Sequence, residues 1–136
     1  MGKKKVVLDT NILISAFGWT GSPKLIFEEV LDGKLELIIS DKQLEELKRV
    51  LDYSKFNFNE DEKNKFINLI INVSTIIKLN KIFNIVKEDP DDNIILTSAY
   101  LANADFIITG DEHLLKLNKF KNVNILSAND FLSLDG

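Results

Sequence analysis

The chain has 136 residues, with no cysteine, one histidine and a formal net charge of −4. The absence of cysteine excludes a disulfide scaffold, a thiolate zinc site and a cysteine nucleophile, and a single histidine cannot build a multi-histidine zinc or iron site. The excess of acidic residues argues against a protein that is held to nucleic acid by a general positive field. Catalytic chemistry would therefore have to depend on carboxylates.

We expect one cytoplasmic domain over residues 1–136. The composition, 45% hydrophobic and 28% charged, is that of an ordinary globular domain, and a chain of this length buries enough surface to fold without disulfides or a structural metal. The basic run Lys3–Lys5 is followed by only three apolar residues before Asp9, which is far short of a signal sequence or a membrane span. No repeat or linker indicates a second domain.

The first predicted strand is the β-branched run Val6–Leu8. The polar residues Asp9–Asn11 that follow are suited to cap a helix over Ile12–Phe17. After a loop, Ser22–Pro23 forms an N-cap and first-turn pair for a second helix, which we expect to stop near Gly33. The chain therefore begins with one strand and two helices.

A second strand is predicted over Leu35–Ile39. The segment Ser40–Gln43 matches a capping box and opens a helix that continues to Leu51. The acidic segment Asn59–Glu62 opens another helix, whose apolar residues recur at helical spacing. Thr75–Leu79 is the third strand candidate. The third strand thus follows two helices, as the second strand does, which is the order of repeated βα units.

The last third of the chain continues the βα order. Asp89–Asp92 is a turn and cap before a helix over residues 93–103, and Phe106–Thr109 is the fourth strand. The remaining predicted elements are a turn at 110–113, one helical turn at 114–117, a fifth strand at 123–126 and a short helix at 129–134. Strands that are continuous apolar runs, separated by amphipathic helices, indicate a parallel sheet covered on both faces.

Acidic residues recur at the carboxyl edge of this predicted sheet, where ligands gather in open α/β folds. Asp9 directly follows the first strand, and Asp111 lies two residues beyond the fourth. Asp92 begins the helix that leads into the fourth strand, and Glu46 lies on the helix that leaves the second. Taken singly, each acid also fits a role as a helix cap, a turn former or a solvated residue. Their shared position predicts a site.

The third predicted helix contains two neighbouring glutamates, Glu45 and Glu46, and only one of them can point toward the predicted site. With about 100° between successive helical residues, and with the leucines at 44, 47 and 51 on the buried side, Glu46 falls beside Val50 at the border of that side. Glu45 points away and is expected to face solvent. We therefore predict that Glu46 points toward the site.

Carboxylates that lie close together repel each other. A pair at 4 Å costs about 4 kcal/mol at an effective dielectric of about 20, and four acids contain several such pairs. Mg²⁺ and Mn²⁺ take oxygen ligands of this kind, and in sequence only Lys87 supplies a basic side chain next to the acids. One or two divalent ions would therefore neutralise the cluster.

Four segments of the chain together resemble the PIN-domain ribonucleases. They are VVLDTNILISA (Val6–Ala16), SDKQLEELKRVL (Ser40–Leu51), DPDDN (Asp89–Asn93) and IITGDEHLL (Ile107–Leu115). Their order and spacing fit the family over nearly the whole chain. The branch that the chain resembles most is the toxin component of bacterial or archaeal type II toxin-antitoxin pairs.

This resemblance implies a PIN-like three-layer fold, in which helices flank a five-stranded parallel sheet, and cleavage of RNA with Mg²⁺ or Mn²⁺. The acids that it implies as catalytic metal ligands are Asp9, Glu46, Asp92 and Asp111. The residues that it implies as supports for them are Thr10, Asn11, Asp89 and Thr109. In this chemistry water attacks phosphorus in line, so an RNA 2'-hydroxyl is not needed and the preference for RNA comes from the resemblance alone.

The resemblance also implies partners: an RNA substrate, an antitoxin protein and a second copy of the chain in a homodimer. Trp19, in a loop flanked by glycines, is expected at an interface or against an unpaired base. Phe56 is expected in the core or against a partner, and His113 at the surface of a helix start. Scattered lysines are either phosphate contacts or a solvated face.

Two other functions remain open on the sequence. One is a PIN-fold module that binds RNA or protein without cutting, since a sequence does not reveal whether the cleft is accessible. The other is an aspartate-nucleophile phosphatase, which also begins with a strand that ends in aspartate and uses Mg²⁺. That class has a second aspartate two residues further on, where this chain has Asn11.

Overall fold

The computed structural model describes residues 2–18, 21–53, 56–86 and 89–134. Within them, six strands form one sheet: β1 (Lys4–Leu8), β2 (Leu35–Ser40), β3 (Ser74–Ile77), β4 (Phe106–Ile108), β5 (Lys119–Phe120) and β6 (Val123–Leu126). Their order across the sheet is β3-β2-β1-β4-β6-β5. All neighbouring strands run parallel except β5, which is antiparallel to β6.

The helices of the described chain are α1 (Thr10–Phe17), α2 (Gly21–Leu31), α3 (Asp41–Leu51), α4 (Glu60–Val73), α5 (Pro90–Leu101), α6 (Glu112–Leu117) and α7 (Ala128–Ser133). None of them combines the length and apolar content that a membrane crossing requires. The β1–α1, β2–α3, β4–α6 and β6–α7 junctions all lie at the same edge of the sheet, because these four strands are parallel.

The sheet is the middle of three layers. Alternate residues of β1 point to opposite faces: Val6 and Leu8 pack in a core with α1, α2, α3, α4 and α7, whereas Val7 packs in a second core with α5. Both cores are lined by aliphatic side chains with little or no exposed surface. Burial on both faces explains why the strands are continuous apolar runs in the sequence.

The mixed α/β fold and the five parallel strands expected from the sequence are confirmed, but the sheet has a sixth strand. Strand β5 was not predicted, since it has only two residues and pairs antiparallel with β6 after a tight turn. Helix α2 begins at Gly21, so the prediction of Ser22 as its N-cap is wrong. The Ser22 hydroxyl instead donates to the side chain of Asn129 at the start of α7.

The predicted capping box at the start of α3 forms only in part. The Ser40 hydroxyl accepts from the amide of Gln43 at 3.0 Å, as an N-cap should. The Gln43 side chain does not return to Ser40; it is fully buried and its Nε2 donates to the carbonyl of Leu8 at 2.6 Å. This bond ties α3 to the end of β1, directly before Asp9.

Candidate metal centre

A cavity of about 210 Å³ lies at the carboxyl edge of the sheet, beyond the ends of β1 and β4. Six carboxylates line it, contributed by the β1–α1 and β4–α6 junctions, by α3 and by the start of α5. They are Asp9, Glu46, Asp92 and Asp111, which the sequence singled out, together with Asp89 and Asp91. None of the described residues that line the cavity is a lysine or an arginine.

Asp9 joins β1 to α1 and has 8% of its surface exposed. It caps the helix: Oδ1 accepts from the amide of Ile12 at 2.8 Å, and Oδ2 accepts from the hydroxyl of Thr109. Burial raises the pKa of Asp9 above its ordinary value although these hydrogen bonds lower it, and the Asp111 charge raises it further. A positive charge in the cavity would therefore stabilise the ionised form of Asp9.

Thr109 connects the acids that follow β1 and β4. Its hydroxyl donates to Asp9 and accepts from the amide of Asp111 at 2.9 Å, and the residue is fully buried. Asp111 is the N-cap of α6, and its Oδ1 accepts from the amide of His113 at 2.7 Å. One buried threonine thus fixes the position of Asp9 relative to Asp111.

Asp92 lies in the first turn of α5 and has 6% of its surface exposed. Its Oδ2 is buried and has no hydrogen-bond partner. Burial raises the pKa of Asp92 to about 7, and the charges of Asp89, Asp111 and Asp9 add to this effect. A buried carboxylate oxygen without a partner, among other carboxylates, fits a divalent cation, which prefers oxygen ligands.

Glu46 points into the cavity from α3, as predicted, while Glu45 is exposed. One Glu46 oxygen accepts from the hydroxyl of Thr10, the first residue of α1. Burial raises the pKa of Glu46 to about 7, and the neighbouring carboxyl of Asp91 raises it too; Thr10 and the Arg49 charge act in the opposite direction. Glu46 and Asp91 therefore form a second acidic pair in the same cavity.

The structure brings the four predicted acids to one cavity but divides them into two groups. Asp92 and Asp111 interact with each other and with Asp9, whereas Glu46 interacts with Asp91. Asp91 was not among the acids selected from the sequence. Helix α5 was predicted to start at residue 93, whereas it begins at Pro90, so Asp91 and Asp92 both lie in its first turn and project in different directions. Proline suits the first position of a helix, and this signal would have placed Asp91 in the helix beside Asp92.

The cavity is also lined by apolar and aromatic side chains, those of Val50, Tyr53, Phe56 and Ile95. Phe56 also stacks on Phe58, with ring centroids 5.9 Å apart, and packs against the core, as expected. Tyr53 is 46% exposed, so its ring is available to a ligand that enters from solvent.

The remaining residues singled out from the sequence have mixed outcomes. Asn11 lines the cavity and is exposed, and Asp89 caps α5 by accepting from the amide of Asp91 at 3.0 Å. Trp19 and Lys87 lie outside the residues that the structure describes. The roles of all these side chains in binding metal or substrate stay predictions.

Comparison with known proteins assigns the family. A family model described as PIN domain matches residues 5–113, which contain all six carboxylates of the cavity. The chain belongs to the PIN-domain family. It is also 36% identical, over 129 residues, to the uncharacterized protein MJ1680 of Methanocaldococcus jannaschii, an alignment that covers 90% of this chain and 82% of that protein.

A solved structure has the same fold. This is a chain in the crystal structure of VapBC2 from Rickettsia felis, bound to a DNA fragment from its promoter. It superposes with a TM-score of 0.62 over 89% of this chain and 96% of that one, at 19% sequence identity. At this identity the match demonstrates the PIN fold and leaves the activity to be argued from the site.

Proposed function

We propose that this PIN domain is a Mg²⁺- or Mn²⁺-dependent endoribonuclease that hydrolyses RNA phosphodiester bonds. The observation that carries the proposal is the buried, unpartnered Oδ2 of Asp92 in a cavity lined by six carboxylates. A cluster of this kind is unfavourable unless it binds a positive charge. Membership of the PIN family supports hydrolysis of a phosphodiester as the reaction.

The residues that would hold cations are Asp9, Asp92 and Asp111 in one group and Glu46 in the other, with Asp91 beside it. A divalent ion bound there supplies charge that favours ionisation of the attacking water and stabilises the leaving oxygen. The protein itself keeps the carboxylates in position: Thr109 holds Asp9 and Asp111, and Thr10 holds Glu46. The expected products carry a 5'-phosphate and a 3'-hydroxyl.

The aromatic side chains that line the cavity support an unpaired nucleic acid as the substrate. Tyr53 is one of them and is exposed, and aromatic side chains stack on unpaired bases with little preference for sequence. Arg49 lies one turn beyond Glu46 and is exposed, so it is available to contact a phosphate next to the cavity. We propose single-stranded RNA as the class of substrate.

We also propose that the chain is the toxin component of a toxin-antitoxin pair, acting as a homodimer with an antitoxin as a further partner. The Rickettsia felis structure with the same fold is a VapBC2 assembly on promoter DNA, which supports an arrangement of this kind. Co-expression with the product of an adjacent small reading frame, followed by size-exclusion chromatography, tests it. A chain that never forms a complex and does not slow cell growth contradicts this part of the proposal.

The test of the nuclease is cleavage of varied single-stranded RNAs by the wild type and by Asp9→Asn, in Mg²⁺, in Mn²⁺ and in EDTA, with the product ends identified. We expect cleavage only by the wild type with a metal present. Glu45→Gln is the matched control, because it removes an exposed acid next to Glu46 without changing the cavity. Equal cleavage by Asp9→Asn contradicts the proposed site, and intact RNA throughout favours a PIN-fold binding module.

The phosphatase alternative is disfavoured by the residue at position 11. That mechanism uses a second aspartate two residues after the nucleophile, and Asn11 is an exposed amide in the first turn of α1. Family membership also argues against it. Trapping of a phosphorylated Asp9 would revive it.

A further inference from the structure

The single histidine of the chain lies beside two acids of the cavity. A ring nitrogen of His113 and one carboxylate oxygen each from Asp92 and Asp111 lie within 4.8 Å of one another. The His113 side chain is 52% exposed, and its Nδ1 lies 3.6 Å from Oδ1 of Asp111. The imidazole is therefore next to the buried acids and still accessible to solvent.

We propose that His113 is a nitrogen ligand of the cation that Asp92 and Asp111 bind, and that it makes this centre favour Mn²⁺ over Mg²⁺. This inference rests on the proposed function, since it takes the acids to be a cation site. Ligand atoms about 2.1 Å from one octahedral ion lie about 3 Å apart when adjacent and about 4.2 Å apart when opposite, so the three side chains must close by at most about 2 Å to share one ion. Oδ2 of Asp92 is buried without a hydrogen-bond partner, so this carboxylate has an oxygen that no protein donor occupies.

The local backbone keeps His113 close to the acids. Oδ1 of Asp111 accepts from the amide of His113 at 2.7 Å and faces the amide of Leu114 at 3.4 Å, which fixes the first turn of α6. Leu114 is fully buried and anchors this turn in the core. The position of the His113 backbone relative to the Asp111 carboxylate is therefore fixed by the first turn of α6.

The preference for one metal follows from the nature of the donor atom. Mg²⁺ binds oxygen almost exclusively and gives up its water reluctantly, so an imidazole adds little to its affinity. Mn²⁺ also prefers carboxylate and water oxygens. As a transition-metal ion, however, it accepts an imidazole nitrogen more readily than Mg²⁺ does. A neutral nitrogen next to the acids thus raises affinity for Mn²⁺ without adding another negative charge.

An alternative interpretation of the same geometry is an ion pair, in which protonated His113 only offsets the charge of Asp111. The two interpretations differ in whether a ring nitrogen of His113 is bonded to the metal. Pulsed electron paramagnetic resonance of bound Mn²⁺ detects the ¹⁴N of a coordinated imidazole. Because the chain contains one histidine, such a coupling in protein without a histidine tag can come only from His113.

We expect the coupling in the wild type and in the control Glu112→Gln, which removes the exposed acid adjacent to His113, and its loss in His113→Gln. The variant should bind Mn²⁺ about tenfold more weakly and Mg²⁺ less than about threefold more weakly, in a titration that follows the signal of free Mn²⁺. Circular dichroism verifies that the variant is folded. Equal weakening for both ions, or bound Mn²⁺ without a nitrogen coupling, overturns the proposal.

The outcomes also separate this inference from the nuclease itself. Nitrogen coupling without RNA cleavage supports the His113 ligand and contradicts the proposed activity. Cleavage with bound Mn²⁺ but without nitrogen coupling contradicts only the role of His113. A chain that binds no Mn²⁺ overturns both.

Discussion

Replacement of Asp92 by asparagine tests whether the fold opposes the negative charge in the cavity. Asparagine has nearly the shape of the protonated carboxyl but cannot ionise. The pKa of Asp92 lies at about 7 in the folded chain, against a reference value of 3.8. Three pKa units correspond to about 4 kcal/mol, which is the upper limit of the free energy that ionised Asp92, together with its repulsion by Asp89, Asp111 and Asp9, removes from the folded state when no cation is bound.

The sign of the pH dependence follows from this shift. Because the folded pKa is raised, the stabilising contribution of Asp92 is complete below the unfolded pKa and is lost as the pH rises through the folded pKa. Between about pH 5 and about pH 8 the free energy of unfolding should fall by about 3 kcal/mol on account of Asp92 alone. Glu46, with its pKa also raised to about 7, contributes in the same direction.

The assay is urea unfolding of the wild type and Asp92→Asn in EDTA at both pH values. We expect the variant to equal or exceed the wild type at the higher pH, by up to about 4 kcal/mol, and to approach it at low pH. Added Mn²⁺ should stabilise the wild type at high pH and the variant much less. Glu45→Gln, at an exposed position, controls for the loss of one acid. Parallel pH profiles for wild type and Asp92→Asn would refute the argument from burial.

Three further predictions concern the groups that position the acids. Thr109→Val removes the hydroxyl that links Asp9 to the Asp111 amide, so RNA cleavage should fall about tenfold or more. Thr109→Ser keeps a hydroxyl and should retain most of the activity. Equal cleavage rates for the two variants would contradict this role. Gln43→Leu leaves the Leu8 carbonyl without its buried donor, and we expect the free energy of unfolding, measured in urea, to fall by about 1–3 kcal/mol. An unchanged midpoint of unfolding would contradict this role of Gln43. The affinity for Mn²⁺, measured by calorimetry, should rise as the pH increases through about 7, because Asp92 and Glu46 must lose protons to bind the ion. An affinity that does not change with pH would mean that these acids are not the ligands.

The succession of strands and helices along the chain and the edge where the acids meet could be predicted because both depend on local patterns. Each buried strand is a continuous apolar run that ends in polar residues, and parallel strands align their carboxyl ends. The inward direction of Glu46 followed from helical spacing alone and agrees with its position in the cavity. Periodicity within one element was sufficient for these features.

Features that depend on contacts between distant segments could not be predicted. The Nε2 of Gln43 donates to the carbonyl of Leu8, which lies 35 residues away in sequence, so no local pattern indicates this bond. The pairing of Asp91 with Glu46 depends on how α5 packs against α3, which no local pattern specifies. The proximity of His113 to Asp92 has the same origin, since the two residues lie on different helices.

The proposed function requires that the carboxylates after β1 and β4, together with Asp92 at the start of α5, bind a divalent cation. Its most direct test is an anomalous difference map from crystals of the wild type grown with Mn²⁺. We expect a peak within bonding distance of Asp92 and Asp111, beside Asp9, that is lost in Asp92→Asn crystals. A well-ordered, empty cavity in the wild-type crystals at saturating Mn²⁺ would contradict it.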